Sequence, residues 1–131
     1  MRKEINSEKC APPKGFYSQA IATRGTLLFI SGQGPVDPVS GDFKFGLFSE
    51  QATLTFDNVT EILKAGGTSW VNVIKVNVFL ADIANFAEMN QIYHNYAVKP
   101  YPARTTVQSG LVPGMGIEVD CIAIIPEDAH R

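Results

Sequence analysis

The chain has 131 residues, 45% of them hydrophobic and 18% charged, with a net charge of −2 and a pI near 5.6. That length predicts a single domain over residues 1–131, with enough surface to bury for a core that needs no staples, and the mild acidity without a basic run argues against a nucleic-acid partner. No apolar stretch approaches the roughly 20 residues that a bilayer-spanning helix needs. The opening MRKEINSEKCAPPKGF has no apolar signal core, and the two cysteines, Cys10 and Cys121, form no Cys-x-x-Cys. A reducing compartment is therefore the simpler expectation.

In chain order, "KEI" and "YSQAIAT" predict strands, and "TLLFISG" predicts a strong one bounded by Gly25 and Gly32. "QGPVDPVSGDF" is rich in turn formers. From Ser49 the period changes. Ala52, Phe56, Val59 and Leu63 recur on one helical face, with Ser49 as N-cap and Gly66-Gly67 as the stop. "VNVIKVNVFLAD" then predicts a strand with Ile74, Val76, Val78 and Leu80 on one apolar face. A second helix puts Phe86, Met89, Tyr93 and Tyr96 on one side, capped by Asp82 or by Asn85 with Glu88, and Pro100 and Pro102 end it. Strands at about 103–109 and 116–125 flank the loop "GLVPGMG". The order predicts an α+β domain with a single mixed β-sheet and two helices on one face.

Two helices cover one face of such a sheet. Yet Leu27 and Phe29 point to one side of their strand and Leu28 and Ile30 to the other, and Val73, Lys75, Asn77 and Phe79 make the uncovered face half apolar. That pattern predicts a homo-oligomer that buries the second face against another copy.

Most chemical signatures fail. His94 and His130 have no partner at ligand spacing, so no metal site is expected. "GQGPVD" has Asp37 where a dinucleotide-binding turn needs its third glycine, and prolines where its helix would begin. The sequon at Asn58 has no secretory context, and Cys121 reads as a small buried hydrophobe. What remains is a cation, Arg104, in "ARTTV" and an anion, Glu118, in "GIEVDCIAII", both in strand-like segments. Two readings stand. The pair could be a plain salt bridge between strands. Alternatively, Arg104 could hold a substrate carboxylate, for which its planar fork is suited, while Glu118 handles a proton or a water.

At these residues the sequence resembles the RidA family, also called YjgF/YER057c/UK114, whose members are small trimeric enamine/imine deaminases. "GFYSQAI", "LLFISGQGPVDPVSG", "VIKVNVFLADIANFAEMNQIY" and "YPARTTV" followed by "GIEV" resemble family motifs in the family's order, across nearly the whole chain. The resemblance implies a chorismate-mutase-like fold, a homotrimer with a small-carboxylate cleft between subunits, no cofactor, and a cytoplasmic or mitochondrial location. It implies that Arg104 binds the carboxylate and that Glu118 positions or activates the hydrolytic water. Tyr17 would close the pocket from a neighbouring subunit, with Ser31, Asn90 and Thr106 as further substrate-binding positions. The implied reaction is hydrolysis of 2-iminobutanoate- or 2-iminopropanoate-type acids to 2-keto acids and ammonia.

The chain departs from the family pattern in places. Arg104-Thr105-Thr106 stands where the family usually has Arg-Ser-Cys, Phe16 replaces a proline, and the loop before Ile117 is slightly shorter. Thr106 is β-branched and carries a hydroxyl, which bears on pocket shape and reactivity. Two other classes remain open: an endoribonuclease that inhibits translation, and a trimer that binds small carboxylates without turnover.

Overall fold

The computed structural model describes residues 2–127; His130 lies outside them. Six strands and two α-helices follow in the order β1 (Arg2–Ile5), β2 (Ala20–Thr23), β3 (Thr26–Gln33), α1 (Phe48–Ala65), β4 (Val73–Leu80), α2 (Phe86–Tyr93), β5 (Ala103–Gln108) and β6 (Ile117–Ile125). The α+β class and the mixed sheet are as expected. The sheet has four strands in the order β3-β6-β4-β5, with β4 and β5 parallel and the other neighbours antiparallel. β1 and β2 form a separate antiparallel ribbon, so the expectation of one sheet holds for four of the six strands. A bridge from Ser18 to Ala103 attaches the segment before β2 to the free edge of β5. None of the helices among the described residues is long and apolar enough to cross a membrane.

One face of the sheet packs against the helices. Ala52, Phe56, Val59 and Leu63 of α1 are fully buried, as their spacing predicts, and meet Val76, Val78, Leu80, Val119 and Cys121 in a single cluster. Phe56 sits among aromatic rings, 5.7 Å from Tyr93, 5.2 Å from Tyr96 and 6.2 Å from Trp70 between ring centres. Tyr96 lies beyond the end of α2, yet it still packs on this cluster.

Three local expectations are corrected. Ser49 does not cap α1. The helix starts at Phe48, and the Glu50 carboxylate accepts from the Leu47 N–H at 2.9 Å, so a first-turn acid does the capping work. Asp82 accepts from the Ala84 N–H in a short 3-10 turn before α2, whereas Asn85 makes no side-chain cap. In β4 the apolar face is Val73, Val76, Val78 and Leu80, all fully buried, while Ile74 is only partly buried. The cause is a register shift against β6 between Val73 and Lys75, where one extra residue on β4 breaks the strict alternation. Gly66 and Gly67 stop α1 as expected, Gly67 with φ +83°.

The loop before β6 is tied down by Gln51, which is 6% exposed. Its amide nitrogen donates to the carbonyls of Gly46 and Gly114, and its oxygen accepts from the Gly116 N–H at 2.8 Å. Replacing Gln51 with leucine keeps the bulk but leaves a half-buried N–H and two carbonyls without this partner. We expect a loss of about 1–3 kcal/mol in a urea melt.

Cys10 is exposed and Cys121 is buried, and both are free thiols, as expected. Burial, and secondarily the Asp120 carboxylate, push the Cys121 thiol up to about 12. The folded value therefore exceeds the ordinary thiol value of roughly 8.5. The folded state holds a proton that the unfolded chain releases, so the stability linked to it is complete below about pH 8.5 and is lost as the pH rises toward 12. Native protein at pH 8 is expected to release one equivalent of thiol rapidly to an aromatic disulfide reagent, and two after denaturation. Two rapid equivalents in the native state would contradict the burial of Cys121.

Candidate active site

β5 pairs in parallel with β4, Val76 opposite Arg104 and Val78 opposite Thr106. Val76 and Val78 face the helices, so Arg104 and Thr106 do too. Because β5 is an edge strand, the Arg104 side chain reaches past the core to α2. There its Nη1 donates to Asn90 Oδ1 at 2.6 Å. The guanidinium carbon lies 4.9 Å from the Tyr93 ring centre, 5.7 Å from Tyr17 and 5.8 Å from Phe86, within cation–π range. Tyr17, Phe86, Arg104 and Thr106 line an open cleft of about 200 Å³.

The electrostatics of this cleft are unbalanced. Arg104 is half-buried and has no carboxylate partner, since the sole ion pair among the described residues is Lys64–Glu61 on the surface of α1. Burial lowers the Arg104 pKa from its usual value, opposed by Tyr93 and Tyr17. Tyr93 is fully buried beneath the guanidinium, and burial raises its pKa. The Tyr93 hydroxyl and Thr106 Oγ1 are buried without a hydrogen-bond partner among the described residues. The cleft thus holds a cation that lacks an anion beside two hydroxyls that lack partners.

Glu118 lies elsewhere. It lies on β6 opposite Phe79 of β4, and the residues that alternate with it, Ile117 and Val119, are buried toward the helices. Its side chain therefore projects from the opposite, uncovered face. Beside it, β3 carries one extra residue between Ile30, opposite Cys121, and Gln33, opposite Val119. The bulge puts Gly32 against the Glu118 side chain, and Ser31, the residue before it, is exposed.

Within one chain, Arg104, Tyr17, Asn90 and Thr106 are thus brought together, while Glu118 lies on the opposite face beside Gly32, and Ser31 is exposed in the bulge. β4 separates β5 from β6, which places the two backbones roughly 10 Å apart. The salt-bridge reading of Arg104 and Glu118 is thereby removed. The expectation for Tyr17 is also corrected: it sits over Arg104 of its own chain, held by the Ser18–Ala103 bridge next to it and by the Lys14 N–H donating to its hydroxyl at 3.2 Å. Asn90 is occupied in orienting the guanidinium. Phe86, Tyr93 and Gly32 were not singled out from the sequence as site residues. Phe86, Asn90 and Tyr93 share a helical face at i, i+4 and i+7, but two aromatics at that spacing read as core.

The family model described as Endoribonuclease L-PSP matches residues 8–125. The chain belongs to the endoribonuclease L-PSP family, the RidA family of the sequence resemblance. It is 44% identical over 125 residues to "Protein mmf2, mitochondrial" of Schizosaccharomyces pombe, covering 91% of this chain and 94% of that one. It is 40% identical over 125 residues to 2-iminobutanoate/2-iminopropanoate deaminase of Homo sapiens, covering 95% and 90%. Among solved structures, RidA from the Antarctic bacterium Psychrobacter sp. PAMC 21119 superposes with a TM-score of 0.72 at 36% identity, covering 94% of this chain and 99% of that one. Relatives of about 40% identity thus carry a deaminase name, and others in the family carry different names.

Proposed function

We propose that this RidA-family protein hydrolyses reactive 2-imino acids, of the 2-iminobutanoate and 2-iminopropanoate type, to 2-keto acids and ammonia. The observation that carries the reading is the half-buried Arg104 guanidinium, oriented by Asn90, ringed by Tyr17, Phe86 and Tyr93, and without an anion among the described residues. A small carboxylate fits that cleft as a bidentate partner. The deaminase name borne by relatives at about 40% identity supports the choice of reaction.

In this mechanism Arg104 fixes the carboxylate and so orients the neighbouring imine carbon. Water adds to that carbon, and a carbon–oxygen bond forms. Glu118 accepts a proton from the water and passes it to the imine nitrogen, giving a carbinolamine; it then passes the proton of the new hydroxyl to the same nitrogen, which leaves as ammonia as the carbon–oxygen double bond forms and the carbon–nitrogen bond breaks. Uniform binding by the clamp would not by itself speed the chemical step, so the rate gain rests on the orientation it imposes and on the proton transfers.

Because Arg104 and Glu118 lie on opposite faces of one chain, the reaction requires two copies, Arg104 of one beside Glu118 of the next. The uncovered sheet face fits such an assembly. Phe29 is 68% exposed and stands opposite Ile122, with Leu27 and Val107 also exposed. Polar pairs interrupt it, Asn77 donating to Asp120 at 2.8 Å and Lys75 to Thr105 at 2.9 Å. An apolar face with polar registration points suits a closed homotrimer. Light scattering is expected to give a mass near three times the 14.3 kDa chain, and Phe29→Glu is expected to yield monomers with no deaminase activity. An active monomer would contradict the shared site.

The decisive assay is the rate of ammonia and 2-ketobutanoate appearance from freshly generated 2-iminobutanoate, with and without protein. Binding of small carboxylates without faster decay would favour a non-turnover binder. The Endoribonuclease L-PSP description of the family favours a second reading, and cleavage of RNA with no effect on imine decay would select it.

A further inference from the structure

The proposed proton carrier is held by very little. Glu118 is partly buried on the open sheet face, and neither an ion pair nor a hydrogen bond fixes its carboxylate among the described residues. What lies against it is the backbone of Gly32. A Cβ at that position would fall inside the van der Waals envelope of Glu118 Oε2, 2.9 Å from Cδ and 3.2 Å from Cγ. The carboxylate occupies the space that any side chain at position 32 would fill.

The bulge explains how this close approach arises. β3 gains one residue on β6 between Ile30 and Gln33, which turns Gly32 toward Glu118. Bulges of this kind re-aim side chains locally and leave the strands on either side in register. Here Thr26 to Ile30 keep regular pairing with Ile125 to Cys121.

We infer that Gly32 is a positioning residue: by lacking a side chain, it provides the seat that fixes the Glu118 carboxylate for proton transfer. This rests on the deaminase reading for its consequence in turnover, but the seating itself does not. The atoms that a Cβ would meet are the far end of a flexible side chain, not backbone. The strands can therefore stay in place while the carboxylate swings aside. Gly32→Ala should leave the melting temperature and oligomer nearly unchanged and lower kcat as a displaced general base would, roughly a hundredfold.

The test is a double-mutant cycle on 2-iminobutanoate hydrolysis with Gly32→Ala, Glu118→Gln and the pair, with a thermal melt of each and of Gly32→Ala/Glu118→Ala. The expected result is a kcat loss in Gly32→Ala that adds little to that of Glu118→Gln, because both remove the same function. Wild-type kcat in Gly32→Ala would overturn the inference, as would losses that multiply in full. If Gly32→Ala instead fails to fold, recovery of the melt in Gly32→Ala/Glu118→Ala supports the seat, and no recovery overturns it. A wild-type protein inert toward imines removes the deaminase reading. In that event a crystal structure of Gly32→Ala decides the seat, which stands if the carboxylate has moved and falls if it has not.

Discussion

Replacing Arg104 with alanine is expected to lower kcat/KM for 2-iminobutanoate by roughly 30-fold to several thousandfold, the equivalent of the about 2–5 kcal/mol lost when one partner of a buried charge pair is truncated. The half-buried setting of Arg104 is what puts the value in this range, since an exposed pair contributes about 0–1 kcal/mol. Lysine separates charge from geometry. It keeps the cation but loses the planar fork, and it cannot both donate to Asn90 in the present geometry and grip a carboxylate bidentately. If one charge-assisted hydrogen bond is lost, about 1.5–3 kcal/mol, Arg104→Lys should show roughly tenfold to over a hundredfold lower kcat/KM. Melting temperature and oligomer should be little changed in both, because among the described residues Arg104 forms no ion pair whose loss would leave a buried carboxylate behind. Wild-type kcat/KM in Arg104→Lys would make the arginine structural and remove the site.

The parts of this arrangement that follow a period are those the sequence discloses. Helix α1 could be placed because Ala52, Phe56, Val59 and Leu63 must share a face to be buried, and the structure buries all four. Where a strand carries one extra residue, the period fails without a marker in the composition. Ile74 looks like a core position in "VNVIKVNV" and is not one, because the bulge on β4 hands its place to Val73. The same limit hides the site. Arg104 and Glu118 are legible as charges in strands, but their faces depend on strand order, and nothing in "ARTTV" or "GIEV" shows that β4 runs between them. Tyr17 was expected from a neighbour, and the Ser18–Ala103 bridge that brings it home is a single long-range pairing with no local signal. Glycine 32 reads as a strand boundary, whereas its part here depends on the residue across the sheet.

The opposed faces also divide the proposed site between two chains. The Arg104 cleft is walled by three aromatic rings and is open on its outer side, so on the proposed reading a single chain should still bind a carboxylate. In the proposed mechanism Glu118 reaches that carboxylate's neighbouring carbon only from another copy. Binding and turnover should therefore separate, with the monomeric Phe29→Glu protein retaining carboxylate affinity while losing catalysis.

The Glu118→Gln substitution tests the chemical half of that division. Glutamine keeps the length and the seat beside Gly32 but cannot accept and return a proton, so kcat should fall by roughly 10²- to 10⁴-fold, the range for loss of a general acid–base group. KM should change little, because the proposed mechanism assigns the carboxylate to Arg104, which lies on the other face from Glu118. The opposite split is expected of Arg104→Lys, in which kcat/KM falls through weaker binding and poorer orientation. Mixing the two inactive variants gives a sharper readout. If Arg104 of one copy works with Glu118 of the next, trimers reassembled from Arg104→Ala and Glu118→Gln chains will contain some clefts with both residues intact. Those mixed trimers should regain a substantial fraction of the wild-type rate, whereas a site contained in one chain would regain none.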